Sequence, residues 1–132
     1  MSHPVVLDAS VGVKWIRQES GTTEALDLLR AHGAGELEIV VPSLFCYEYL
    51  AVAGREQAPG RMAKAWDVIR EAALTIVEVD DSLVAAAVEE CDRLGCAFYD
   101  AVAPAVARLL EAPLYSADHR AHDRVPGVVL IG

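Results

Sequence analysis

Apolar and polar positions follow two periods along this chain. Short apolar runs, rich in Val and Ile, fall at Val5–Asp8, Ile39–Val41, Thr75–Val79, Pro113–Ser116 and Val128–Ile131. Runs of that length and composition read as buried strands. Between them the apolar residues recur at three and four positions, the spacing of one helix face. The first helix is expected from Val11 to about Arg17, with Ser10 as its cap. Gly21-Thr22-Thr23 introduces a second, Thr23–Ala31, with the stripe Ala25, Leu26, Leu29. Ser43 caps a third that reaches about Ala53. Arg61–Ala73 reads as a fourth, with Met62, Ala65, Trp66 and Ile69 on one face. Ser82 caps a fifth, striped by Val84, Ala87, Val88, Cys91 and Leu94 and closed by Gly95. The sixth is expected to open near Tyr99-Asp100, because Pro104 is tolerated best in a first turn. A short helix precedes the final strand. Strands alternating with helices predict a parallel sheet covered on both faces, in one α/β domain over residues 1–132.

Composition narrows the class. The chain has 132 residues, 54% of them hydrophobic, enough for one sizeable core. No apolar run approaches the ~20 residues of a membrane span. No basic segment leads into an apolar one at the N-terminus, so a cytoplasmic protein is expected. Cys46, Cys91 and Cys96 are an odd number, read as reduced buried thiols rather than a disulfide framework or a zinc site. A net charge of −9 argues against broad adhesion to nucleic acid and invites a basic partner.

Four acidic residues stand out by context. Asp8 ends the first strand, and Asp118 follows Leu114-Tyr115-Ser116. In an open α/β sheet, ligands bind beyond the carboxyl ends of strands. Glu48 lies among Tyr47, Tyr49 and Leu50, and Asp100 beside Tyr99, Ala101 and Val102. Charges in such company are costly to bury unless paired or bound to a metal. Each acid taken singly has an ordinary explanation as a helix cap or a solvated side chain. Together they suit a hard cation such as Mg²⁺ or Mn²⁺. Ions of that kind can activate water and steady a leaving oxygen in phosphodiester cleavage. His119 and His122 find no third zinc ligand and are read as exposed. The chain has no phosphate-cradling Gly-rich loop, no G-x-S-x-G and no H-E-x-x-H.

These residues carry a resemblance. Val6-Leu7-Asp8-Ala9-Ser10, Pro42-Ser43-Leu44 leading to Glu48, Tyr99-Asp100-Ala101 and Ser116-Ala117-Asp118 fall in order across nearly the whole chain. The pattern resembles the PIN-domain family, most closely the VapC-type toxins of toxin–antitoxin pairs. The resemblance implies a three-layer α/β/α domain with a parallel five-stranded sheet. It implies a Mg²⁺- or Mn²⁺-dependent endoribonuclease, with Asp8, Glu48, Asp100 and Asp118 as the acidic quartet and Asp8 and Asp100 as the foremost metal ligands. Ser116 matches a hydroxyl residue that the family commonly places two before the last acid. A homodimer, silenced by a small antitoxin that inserts a basic residue into the acidic pocket, is implied as well. Two positions depart from the family pattern. Ala51 stands where Asn is frequent, and Ala103, followed by Pro104, where an aromatic is.

Other readings of the same residues are a stand-alone PIN nuclease, a non-catalytic module that captures a basic peptide, and a phosphotransfer receiver. The last needs a Lys near the final strand, and only Arg120 and Arg124 follow Asp118. For an RNA substrate, Lys14 and Arg17 are candidate phosphate contacts, and Arg55, Arg61 and Lys64 cluster in sequence. Trp15, Phe45, Tyr47, Tyr49 and Trp66 exceed what the core helices evidently need, so some are expected at an interface.

Overall fold

The computed structural model describes residues 3–55 and 58–132. The order is β1 (His3–Leu7), α1 (Ala9–Gly12), a 3₁₀ turn (Val13–Trp15), α2 (Thr22–Gly33), β2 (Leu37–Pro42), α3 (Ser43–Gly54) and α4 (Arg61–Ala72). There follow β3 (Thr75–Val77), α5 (Asp81–Leu94), α6 (Phe98–Leu110), β4 (Leu114–Ser116), α7 (His119–His122) and β5 (Val129–Leu130). The five strands form one sheet in the order β3-β2-β1-β4-β5, every pairing parallel. The α/β architecture read from the alternation is therefore the observed one.

Side chains of β1 point alternately to opposite faces. Val5 and Leu7 join Ile39 and Val41 under a core that includes Phe45, Tyr49, Ala65 and Ile69. Val6 and Val40 face the other way, onto Leu83, Ala87, Ala101 and Val106. Helices α1 to α4 thus cover one face, and α5 and α6 the other.

Several boundaries differ from the sequence reading, each for a local reason. Asp8, not Ser10, caps α1, accepting the Ser10 N–H at 3.0 Å. The helix tightens into a 3₁₀ turn and ends at Trp15, short of Arg17. Pro42, not Ser43, holds the cap position of α3, and Asp80, not Ser82, caps α5 by accepting the Leu83 N–H at 2.8 Å. The buried stripe of α5 is Leu83, Ala86, Ala87, Glu90 and Leu94, while Val84 and Val88 are exposed. On α2, Leu28 rather than Leu26 is buried, and on α4 Met62 and Trp66 stay exposed. Helix α6 opens at Phe98, so Pro104 lies inside it rather than in its first turn. The cysteines are free, and each is half-buried rather than buried.

The aromatic residues divide. Trp15, Phe45 and Tyr49 form a contiguous cluster, with ring centroids 5.9 to 6.4 Å apart. Trp15 donates to the Ala25 carbonyl, and Tyr49 to the Ala65 carbonyl, both at 2.8 Å. These rings pack α1, α2, α3 and α4 together, so only Tyr47 and Trp66 of the five remain exposed.

Candidate acidic site at the sheet switch point

The chain lays strands outward from β1 to β2 and β3, then returns to β4 and β5 on the other side. The order reverses between β1 and β4, which is where open α/β sheets form their crevice. Asp8 directly follows β1, and Asp118 lies two residues beyond β4. Asp100 stands in the first turn of α6, at the positive end of its dipole. Glu48 is in the second turn of α3.

The electrostatics connect all four. The Glu48 carboxyl is held above its ordinary value, first by partial burial, then by the negative charges of Asp8 and Asp100. Asp118 adds to the rise. Like charges in proximity resist ionisation, and Glu48 carries that cost for the group. Two of the acids also do structural work. Asp8 caps α1, and Asp118 caps α7 by accepting the Ala121 N–H at 3.1 Å. A capping carboxylate keeps a free oxygen, so the two roles are compatible.

Behind the acids runs a hydrogen-bonded chain that joins the two strand ends. The Ala117 N–H donates to Ser10 Oγ at 2.9 Å, and the Asp118 N–H to Ser116 Oγ at 3.1 Å. Ser116 Oγ lies 2.7 Å from His122 Nδ1. His122 Nε2 lies 2.9 Å from the Asp100 carbonyl oxygen. A carbonyl only accepts, so Nε2 carries the proton, and in the neutral ring Nδ1 accepts from Ser116. His122 is 2% exposed, which corrects its reading as a surface residue. Ser116 is fully buried and acts through Asp118 and His122 rather than at the protein surface. The sequence shows none of these links, because the Ser10 bonds need β1 beside β4 and the His122 bonds need α7 folded against α6.

The basic candidates lie elsewhere. Lys14 and Arg17 sit at the opposite end of the α1 segment from Asp8. Lys14 is 6% exposed and donates to Glu19 at 3.0 Å and to the Ser20 carbonyl, so its ammonium serves the fold. Arg17 is exposed and pairs with Glu19 at 3.5 Å. A cavity of about 330 Å³ brings Arg17 together with Arg61 and Lys64, beside Trp15 and Leu26.

The donor set fits a hard divalent cation in chemistry, since its members are all carboxylates and a positive ion would relieve the repulsion felt at Glu48. Among the described residues, no three His, Cys, Asp or Glu side chains already stand at ligating distance from a common point. Closing on an ion therefore requires side-chain movement.

A parallel sheet between two helical layers, with acids at its switch point, defines an α/β domain with an acidic crevice. The PIN-domain family profile matches residues 5–128, and the chain belongs to that family. Among solved structures, Mycobacterium tuberculosis VapC20, described as a Sarcin-Ricin loop cleaving toxin, is similar with a TM-score of 0.74 at 15% identity. That match covers 97% of this chain and 99% of the other. A toxin-antitoxin complex from Klebsiella pneumoniae gives a TM-score of 0.71 at 17% identity, covering 95% of each chain. DNA-bound VapBC from Salmonella typhimurium gives 0.68 at 18% identity, covering 98% and 97%. At these identities the likeness shows the fold. Comparison with curated protein sequences returns no significant match.

Proposed function

We propose that this chain is a metal-dependent endoribonuclease that hydrolyses RNA phosphodiester bonds and acts as the toxin of a toxin–antitoxin pair. What supports the reading is that Asp8 and Asp118 leave the two strands flanking the switch point, and that the charges of Asp8, Asp100 and Asp118 all bear on Glu48. Asp8 and Asp100, with Asp118 and Glu48, would hold Mg²⁺ or Mn²⁺, which when bound neutralises phosphate charge and makes water easier to ionise. The chain supplies the rest. Caps on α1 and α7 fix Asp8 and Asp118. Glu48, whose charge the ion would offset, completes the acidic set. Ser116 positions Asp118 through its backbone N–H. Arg17, with Lys64 across the cavity, is the outlying contact for RNA phosphate; Lys14 supports the loop that carries it.

The VapC20 description supports RNA as the substrate class, and the toxin–antitoxin neighbours support an antitoxin partner. An apolar hollow of about 410 Å³, lined by Cys46, Tyr47, Leu50, Trp66 and Ile76, adds a surface suited to a partner chain or a second copy.

The test pairs RNA cleavage with melting. Asp100→Asn keeps the shape and removes one charge. Cleavage should fall to background. Stability without metal should hold or rise. The wild-type gain from metal, about 2.7 kcal/mol at ~100 times the dissociation constant, should shrink. Arg17→Gln should flatten the salt dependence of RNA binding. Intact cleavage with an unchanged metal response in Asp100→Asn would reduce Asp100 to a helix-terminus residue and sink the reading.

A further inference from the structure

Pro104 lies four residues after Asp100, inside α6. In an α-helix the N–H of residue i+4 donates to the carbonyl of residue i. Proline has no N–H, so the Asp100 carbonyl cannot receive its helical bond. A buried carbonyl left without a donor costs free energy, and native structures satisfy such groups from elsewhere. Here the donor is the imidazole of His122, 2.9 Å away on α7. The other ring nitrogen reaches Ser116 at the end of β4, whose oxygen also accepts the Asp118 N–H. One buried ring therefore touches the backbone of one candidate ligand and, through Ser116, the backbone of another.

We propose that Pro104 and His122 form a matched pair that sets the distance between Asp100 and Asp118. Proline vacates the acceptor on α6, and histidine occupies it from α7. His122 is a positioning residue on this account and touches neither metal nor RNA. The proposal rests on the reading of Asp100 and Asp118 as ligands. Partners that orient metal ligands typically alter metal affinity ~10- to 100-fold when removed. A histidine that only filled space would be interchangeable with side chains of similar size, whatever residue 104 is. A matched pair predicts that the two positions are coupled.

The full chain is titrated with Mn²⁺ alone by calorimetry, and its melting is recorded without metal. Asparagine at 122 places an acceptor near the Nδ1 position and loses the reach to Asp100. Glutamine places a donor near the Nε2 position and loses Ser116. His122→Asn should weaken Mn²⁺ binding about tenfold or more. Adding Pro104→Ala restores an N–H four residues beyond Asp100. The double variant H122N/P104A should then bind Mn²⁺ more tightly, and melt higher, than H122N. The same proline change should give a smaller gain in H122Q, which keeps its own donor to Asp100. A double variant no better than the sum of its single changes overturns the proposal, as does H122N with wild-type affinity and melting. If the wild-type chain binds no Mn²⁺, the metal-site reading fails. The pairing is then decided by melting alone, a larger gain from P104A in H122N than in wild type supporting it and an equal or smaller gain refuting it.

Discussion

Glu48 is the residue at which the field of the whole site is felt. Its carboxyl prefers the proton more strongly in the folded chain than in the unfolded one, because of partial burial and then Asp8 and Asp100. A raised acid binds more protons when folded, so its ionisation subtracts stability. That loss sets in as pH rises above the ordinary value of 4.5 and is complete above the raised one. In metal-free buffer, Glu48→Gln should therefore melt above wild type at pH 7. The gap should close as pH falls toward 4.5. A variant that melts below wild type at pH 7 would show that Glu48 is not under repulsion. Residue-scale chemistry also explains the double use of Asp8 and Asp118. A carboxylate at a strand end is the natural cap for the next helix, and its second oxygen remains available.

Among the elements, α1 is the one placed most narrowly. It leaves Asp8 and must lie close to α3, which carries Glu48. Gly12 allows that approach. A Cβ there would come within 2.3 Å of the Phe45 ring, which is 1% exposed and boxed by Trp15 and Tyr49. Gly12 has helical backbone angles, so alanine would by itself favour the helix by ~1 kcal/mol. The clash outweighs this, since Phe45 is buried between two rings and must shift to make room, and overpacking a tight core costs ~1–3 kcal/mol. Gly12→Ala should lower the denaturation midpoint and, by parting α1 from α3, weaken metal binding. Equal or greater stability would mean that α1 and α3 are not so closely packed. Helix α5 shows the other side of element-scale packing. Capped at Asp80, it turns Glu90 inward, where Arg93 and Arg108 pair with it.

For the whole molecule, the net charge of −9 leaves few cations to spend on RNA. Lys14 and Arg17 pair with Glu19, and Arg30, Arg70, Arg93 and Arg108 also pair with acids. Exposed apolar side chains occur on several elements, and three of them meet at one place. Tyr47, Trp66 and Ile76 border one hollow beside the edge strand β3, and an edge strand invites pairing or cover. If that face joins two copies, sedimentation at micromolar concentration should give a dimer, and Trp66→Ala with Tyr47→Ser should shift it to monomer. A wild-type monomer at that concentration would remove the homodimer and leave the face to a different partner.

The sequence by itself determined the layered parallel sheet. Short β-branched runs cannot bury both faces without helices above and below, and the strand-helix alternation is visible one residue at a time. It also singled out Asp8, Glu48, Asp100 and Asp118, because charges at strand ends or among apolar neighbours call for an explanation. Only the tertiary structure decided what stands behind them. His122 is buried because α7 folds back against α6, and Ser116 meets Ser10 because β1 and β4 are neighbours. Trp15, Phe45 and Tyr49 became core rather than interface because α1, α2, α3 and α4 meet around them. Periodicity is a property of neighbours along the chain. These contacts join residues from 10 to 107 positions apart, and only folding brings them within hydrogen-bonding distance.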